Sequence, residues 1–302
     1  MTNFTYESLL YMSCFGVSFS PDDLKFIFEN HRSFAKDLVK DFRPELAQQF
    51  EDLQWVSKWE DFLSAKDRCG INFTTPLCLD YPEALRSLNR PPLFLSYQGQ
   101  PLWKKRKLLS VVGSREPGRE SLTWMSHHLP TILKEFDLGV ISGGARGVDQ
   151  WAHQISMLCQ FGTLCVLPSG LLNIYPRSFQ SLSEGLIERG GGLLSMYPLR
   201  QEMRKFFFHQ RNHLIAALGE ALLVVEAGVK SGSLVTTKQA LDLGKDIYCL
   251  PFSPWSGRGA GNNQLIKEGA TMVTSERDFI ECFQPTDLFC GSKLSNSVSQ
   301  ET

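Results

Sequence analysis

No run of apolar residues in this chain of 302 approaches the ~18–20 needed to cross a bilayer. Nor does the N-terminus carry a basic stretch leading into an apolar one, so it does not read as a secretory signal. The eight cysteines (Cys14, Cys69, Cys78, Cys159, Cys165, Cys249, Cys282 and Cys290) form no C-x-x-C pair, which excludes zinc ribbons and thioredoxin-like redox centres. Thiols in apolar surroundings, such as Leu164-Cys165-Val166-Leu167, read as small buried residues of a reducing compartment. Gly118 is not followed by Gly-Lys-Ser/Thr, so there is no Walker A loop, and the G-x-G-x-x-G spacing of dinucleotide enzymes is missing. His209 and His213 have the spacing of H-E-x-x-H, but Gln210 replaces the required glutamate. An excess of positive charge is also absent: the net charge is −1, which excludes a uniformly cationic surface. The expectation is a soluble, cytoplasmic protein with no membrane partner.

What the chain does have is enough apolar content, 42%, to bury a large core. Its charge is unevenly spread. Residues 1–70 hold 8 Lys/Arg against 12 Asp/Glu, and the remainder 23 against 20, so a basic face belongs to the larger part. Residues 1–70 read as a helical domain. Apolar residues from Leu24 to Val39 recur near a 3.6 period, Ser20-Pro21-Asp22-Asp23 is a helix start, and Pro44 opens a further stretch through Trp59. Residues 71–107, with Pro76, Pro82, Pro91, Pro92 and Pro101, read as a linker and lead-in segment. From 108 to 285 short apolar strands alternate with helices. Strands are predicted at 108–112, 138–141, 163–167, 193–194, 221–225, 246–251 and 272–273. Helices are predicted near 119–136, 148–160, 178–188, 211–218, 233–242 and 262–268. That alternation predicts an α/β fold: an extended Rossmann-like, doubly wound, mostly parallel sheet, preceded by a small helical N-terminal domain. Such sheets bind ligands outside the carboxyl ends of their strands. The polar tail, 286–302, is expected to be disordered and is too short for another domain.

Small and basic residues cluster where the strands end. Gly113-Ser114-Arg115 follows the first, and Ser142-Gly143-Gly144-Ala145-Arg146-Gly147-Val148-Asp149 the second. Glycine allows close backbone approach, and a following helix N-terminus offers N–H donors to an anion. Asp149 is expected to cap its helix, and His153 to be a packed or surface histidine rather than a base. Tyr175-Pro176-Arg177 follows the third strand; Tyr175 either stacks on a base or packs under the proline turn. Between Arg200 and His213, basic residues including Lys205, Arg211 and their neighbour Asn212 interleave with Phe206, Phe207 and Phe208. That composition suits single-stranded nucleic acid, although at least one phenylalanine is expected in the core. Ser231-Gly232-Ser233 opens another helix as a third anion-type loop, and Glu226 reads as an orienter of neighbouring loops.

In order and spacing, these loops resemble the DNA-processing protein A family (DprA, also called Smf). The matching series also includes Ala152-His153, Tyr175-Pro176, Arg211-Asn212, Val225-Glu226-Ala227 and Leu265-Ile266-Lys267-Glu268-Gly269-Ala270, over about residues 71–275. The resemblance implies a homodimer that binds single-stranded DNA and helps load the RecA recombinase during natural transformation, without enzymatic activity, cofactor or metal. It implies a DNA pocket built on Arg115, Arg146 and Arg177, with Leu265 and Ile266 near the dimer contact. The chain departs from the family's usual residues at His213, Phe179, Met196 and Phe252. A phosphoribohydrolase-type nucleotide enzyme is the alternative on a related sheet. The helix after Ser231-Gly232-Ser233, however, has no carboxylate before Asp242. An NAD(P) oxidoreductase is disfavoured by the missing glycine fingerprint.

Overall fold

The structure, a computed structural model, describes residues 5–33, 36–42, 44, 45, 48 and 53–283. Nine strands form one sheet in the order β1-β2-β6-β5-β4-β3-β7-β8-β9. They are β1 Ile71–Thr74, β2 Leu95–Gly99, β3 Leu108–Val112, β4 Gly139–Ser142, β5 Thr163–Val166, β6 Gly192–Ser195, β7 Ala221–Val224, β8 Asp246–Cys249 and β9 Thr271–Met272. All pairings from β6 to β9 are parallel, while β1 and β2 run antiparallel along one edge. The chain winds one way from β3 through β6 and then returns to place β7 on the other side of β3. The switch point therefore falls between β3 and β7, where ligands of such sheets collect.

The helices are α1 Tyr6–Tyr11, α2 Pro21–Asn30, α3 Lys36–Phe42, α4 Leu53–Cys69, α5 Glu83–Arg86, α6 Arg119–Glu135, α7 Val148–Leu158, α8 Gln180–Glu188, α9 Lys205–Leu218, α10 Ser233–Asp242, α11 Ala260–Lys267 and α12 Glu276–Cys282. Among the described residues, no helix is long and apolar enough to cross a membrane. Strand residues alternate between two cores, as the two-residue period of a pleated sheet requires. Leu108, Val112, Ile141 and Leu164 face α9 and α10, with Leu214, Ile215 and Ala240. Leu109, Val111 and Val140 face α6, α7 and α12, with Met125, Leu129, Ile132 and Phe279. A third cluster joins the N-terminal helices to the sheet. Tyr11 meets Trp55, Trp59, Phe62 and Phe94 at ring-centroid distances of 4.7–5.8 Å, and the cluster continues through Cys165, Leu167 and Leu193.

Three expectations are corrected. The helix read over 24–39 ends at Asn30, a short 3₁₀ turn follows, and a separate helix starts at Lys36. Side chains at this end take up backbone carbonyls: Asn30 Nδ2 donates to Phe26 O (2.9 Å), and His31 Nδ1 lies 2.7 Å from Phe28 O. The start is as expected, with Ser20 and Asp23 in a reciprocal capping box and Pro21 in the first turn. Secondly, the lead-in segment contributes β1 and β2 to the sheet, because its prolines all lie outside those two strands. Thirdly, the helix predicted at 211–218 begins at Lys205, six residues earlier. The polar tail, 286–302, lies outside the described residues.

One buried side chain ties two of the three strands beyond the switch point together. Asn262 accepts from Ala227 N–H (2.7 Å) and donates to Val224 O (2.9 Å) and Leu250 O (3.0 Å), locking the ends of β7 and β8 to α11. Replacing it by leucine keeps the volume but strands buried polar groups. Asn262→Leu is expected to cost about 3 kcal/mol, read as a lower urea midpoint. A midpoint equal to that of the unaltered protein would contradict this role.

Candidate nucleic-acid interface

The loops leaving β3, β4, β5 and β7 meet above the carboxyl edge, and their contacts are mainly backbone. Val148 N–H donates to Ser114 O (3.1 Å), joining the second loop to the first. Ser233 Oγ donates to Gly113 O (2.9 Å), joining the β7 loop to the first as well. Gly147 sits at φ +89°, and a Cβ there would press on Ser114 O and Arg115, so the crossing of the two loops requires glycine. Gly143 is constrained differently: a Cβ there would occupy the place of the Arg211 guanidinium.

Arg211, in the second turn of α9, is 4% exposed. Its Nη1 donates to Val166 O (2.7 Å) and its Nε to Asn212 Oδ1 (3.0 Å), and the buried carboxylate of Asp149 faces it. Burial pushes Asp149 up to about 6, while Arg211, Ala145 N–H and the Ser142 hydroxyl pull it back. Asp149 is therefore not the cap expected of it: Gly147 holds the N-cap position of α7 and supplies no side chain. Arg211 also turns inward, so it positions the loops instead of presenting its charge at the surface.

Above this pair lies a cavity of about 140 Å³ walled by Arg115, Gly144, Ala145, Arg146, Pro168, Tyr175, Pro176, Ser178, Phe208 and Arg211. Arg115 and Arg146, both exposed, converge on it from different loops. The ring of Phe208 has the Arg115 guanidinium 5.5 Å and the Arg211 guanidinium 5.7 Å from its centre, and Tyr175 meets it edge-on at 6.1 Å. Arg115 and Arg211 repel each other beside the ring, and with Arg211 already matched by Asp149 it is the exposed Arg115 that an anion entering here would meet.

The three phenylalanines of α9 separate because successive helical residues point about 100° apart. Phe207 is buried against Tyr197, Phe208 walls the cavity, and Phe206 is 53% exposed. Arg177 and Lys205 are exposed and stand outside the cavity wall. Asn212 is half-buried under Arg211. Gly232 caps α10, with Ser231 beside it. Leu265 packs into its own chain's core, and Ile266 is half-buried. Sequence reasoning named Pro168 and Ala145 only as loop positions and did not name Ser178; all three reach the cavity through the path of their loops. Glu226 has the orienting role expected of it, taking Gly118 N–H (2.8 Å) and the Ser121 hydroxyl (2.6 Å).

Over residues 72–284 the chain matches the model of the family described as DNA recombination-mediator protein A. The chain belongs to that family. It is 34% identical over 204 residues to Protein Smf of Escherichia coli, 68% of this chain and 54% of that protein, so it spans about half the length of this relative. It is 31% identical over 229 residues to DNA processing protein DprA of Bacillus subtilis, 76% of each chain. The X-ray structure of DprA from Streptococcus pneumoniae superposes with a TM-score of 0.74 at 26% identity, covering 94% of this chain and 99% of that one. That coverage reaches into the N-terminal helices, which the family model leaves out. DNA processing protein A from Helicobacter pylori, whose structure is described as showing a single-stranded DNA binding mode, superposes with a TM-score of 0.61 at 26% identity over 70% of this chain and 94% of that one.

Of the two places expected for His153, packed or at the surface, the structure has it packed under these loops. Its Nε2 lies 2.7 Å from Gly143 O, which only accepts, so Nε2 carries the proton; Nδ1 faces Thr163 Oγ1 at 2.6 Å. Burial pushes the imidazole down to about 4 from its ordinary 6.5. Between those values the unfolded chain binds a proton that the folded chain refuses, so the contribution is complete above pH 6.5 and is lost as pH falls towards 4. At full extent this is about 3 kcal/mol. Asp149, raised in the fold, tilts stability the opposite way over an overlapping range, but it does so with or without His153. The stability gap between the unaltered protein and His153→Gln is therefore expected to narrow from pH 7 to 5 in thermal unfolding. A constant gap would reject a neutral, buried imidazole.

Proposed function

We propose that this protein is a non-enzymatic single-stranded DNA-binding recombination mediator. In this reading it acts as a homodimer that helps load the RecA recombinase on incoming DNA during natural transformation. The observation that carries the binding role is the convergence of Arg115 and Arg146 on one cavity beside the Phe208 and Tyr175 rings. Guanidiniums take phosphates without regard to sequence, and aromatic rings take unstacked bases, which a duplex does not offer. The exposed Arg177 and Lys205 add further cationic surface outside the cavity wall. The partner and the cellular role rest on family membership alone. A binding role is favoured over nucleotide hydrolysis because Asp149 and Glu226, the buried carboxylates at this edge, are both committed to arginine and loop donors.

Fluorescence anisotropy with single- and double-stranded oligomers at two salt concentrations tests this reading. Single strands are expected to bind more tightly, with little sequence preference and a steep loss on raising salt. Arg115→Ala should weaken single-strand binding about tenfold and flatten the salt dependence by about one phosphate, with the melting temperature kept. An unchanged dissociation constant at fixed salt would remove Arg115 from the interface. For the dimer, Leu265 is buried in its own core and Ile266 packs only partly against it, which leaves the open side of Ile266 to a second copy. Ile266→Glu is expected to convert dimer to monomer in analytical ultracentrifugation at an unaltered melting temperature; a persistent dimer would place the contact elsewhere.

A further inference from the structure

A second, larger cavity of about 510 Å³ lies on the other side of the loop that carries Arg115. It opens at the carboxyl ends of β7 and β8, against the N-terminus of α6. Its size falls within the ~300–1,000 Å³ of small-molecule sites. Trp124 and Phe252 supply flat apolar walls, Arg119 and Arg258 supply cations, and Ser253 and Ser256 supply hydroxyls. The first turn of the 17-residue helix α6, Gly118 to Ser121, lines the space, so the positive end of the helix borders it. Glu226 forms the floor, but its charge is already taken up by Gly118 N–H, Ser121 and Arg258 at 3.7 Å. Besides the exposed carboxylate of Glu120, the cavity presents Arg119 and the helix end, with aromatic rings beside them.

This pairing of anion donors and planar walls fits a phosphate joined to a flat ring. We propose that the cavity is a nucleotide subsite separate from the Arg115 cavity. It takes one nucleoside phosphate unit, the phosphate towards Arg119 and the α6 N-terminus and the base against Trp124 and Phe252. Arg258 links the two places, because its Nη1 also donates to Glu116 O (2.8 Å), in the same loop as Arg115. Two sources offer this chemistry: a free mononucleotide, or a unit of a strand that passes over the Arg115 loop. Only the second rests on the single-stranded DNA reading.

The test follows Trp124 in the full-length protein. Because the chain has six tryptophans, the signal is the difference in fluorescence between the unaltered protein and Trp124→Phe. Thymidine 5′-monophosphate is titrated against it, with thymidine as the control lacking phosphate. In parallel, single-stranded oligomers with 5-iododeoxyuridine at successive positions are photo-crosslinked, and the modified residue is found by mass spectrometry. Quenching by the monophosphate, weakened about tenfold in Arg119→Glu, supports a free nucleotide as the ligand. Crosslinking to Trp124 without a mononucleotide response supports a strand unit. Equal quenching by thymidine overturns the phosphate assignment. Absence of both signals overturns the subsite even where Arg115→Ala weakens strand binding. Conversely, a mononucleotide response in a protein indifferent to Arg115→Ala leaves the subsite standing and the strand reading rejected.

Discussion

Beneath the carboxyl edge of the sheet lies a guanidinium almost cut off from water, and the positions of the surrounding loops follow from how it is satisfied. Taking an ion out of water costs several kcal/mol unless partners replace the lost hydration. Arg211 finds them in three places: the end of β5 through Val166 O, its own helix through Asn212, and α7 through Asp149. Each partner belongs to a different segment, so satisfying the charge also fixes where those segments stand. Gly143 is part of the same constraint, since any larger residue would displace the guanidinium.

On the other side of the Arg115 loop, Glu226 plays the corresponding part with the opposite sign. Its carboxylate holds the start of α6 through Gly118 and Ser121, and Arg258 reaches from beyond β8 to both Glu226 and Glu116 O. The loop bearing Arg115 is thus held at its far end by the buried Glu226 and at its near end by Val148 N–H on Ser114 O and the Ser233 hydroxyl on Gly113 O. What remains turned outward is Arg115 and Arg146 on one side and Arg119 on the other. A chain with a net charge of −1 can in this way present a local cationic rim without a cationic surface.

The sheet was legible in the chain because each parallel strand is a short apolar run bounded by glycine or a polar turn, as at Leu108–Val112 and Ala221–Val224. The two antiparallel edge strands were harder to see. Ile71–Thr74 and Leu95–Gly99 are short, one alternates only partly, and prolines crowd their flanks. The start of α9 was hidden for a different reason: three consecutive phenylalanines carry no helical period, although the helix sends each to a different environment. The glycine-rich loops announced an anion site, since their composition reports backbone geometry directly. Their arginines were all read alike, because burial is not a local property; Arg115 and Arg211 differ only in what folds over them.

The amino-acid sequence by itself determined the alternating α/β order, the glycine bends at the strand ends and the resemblance that places the chain in its family. These depend on residue type and on spacing along the backbone, which need no third dimension. Tertiary structure alone decided which arginine stays inside and which faces out, which of three adjacent rings joins the site, and that a second cavity lies behind the Arg115 loop. Those outcomes depend on which distant segments share a low-dielectric interior, where an unpaired charge is too costly to leave and a paired one is held in place.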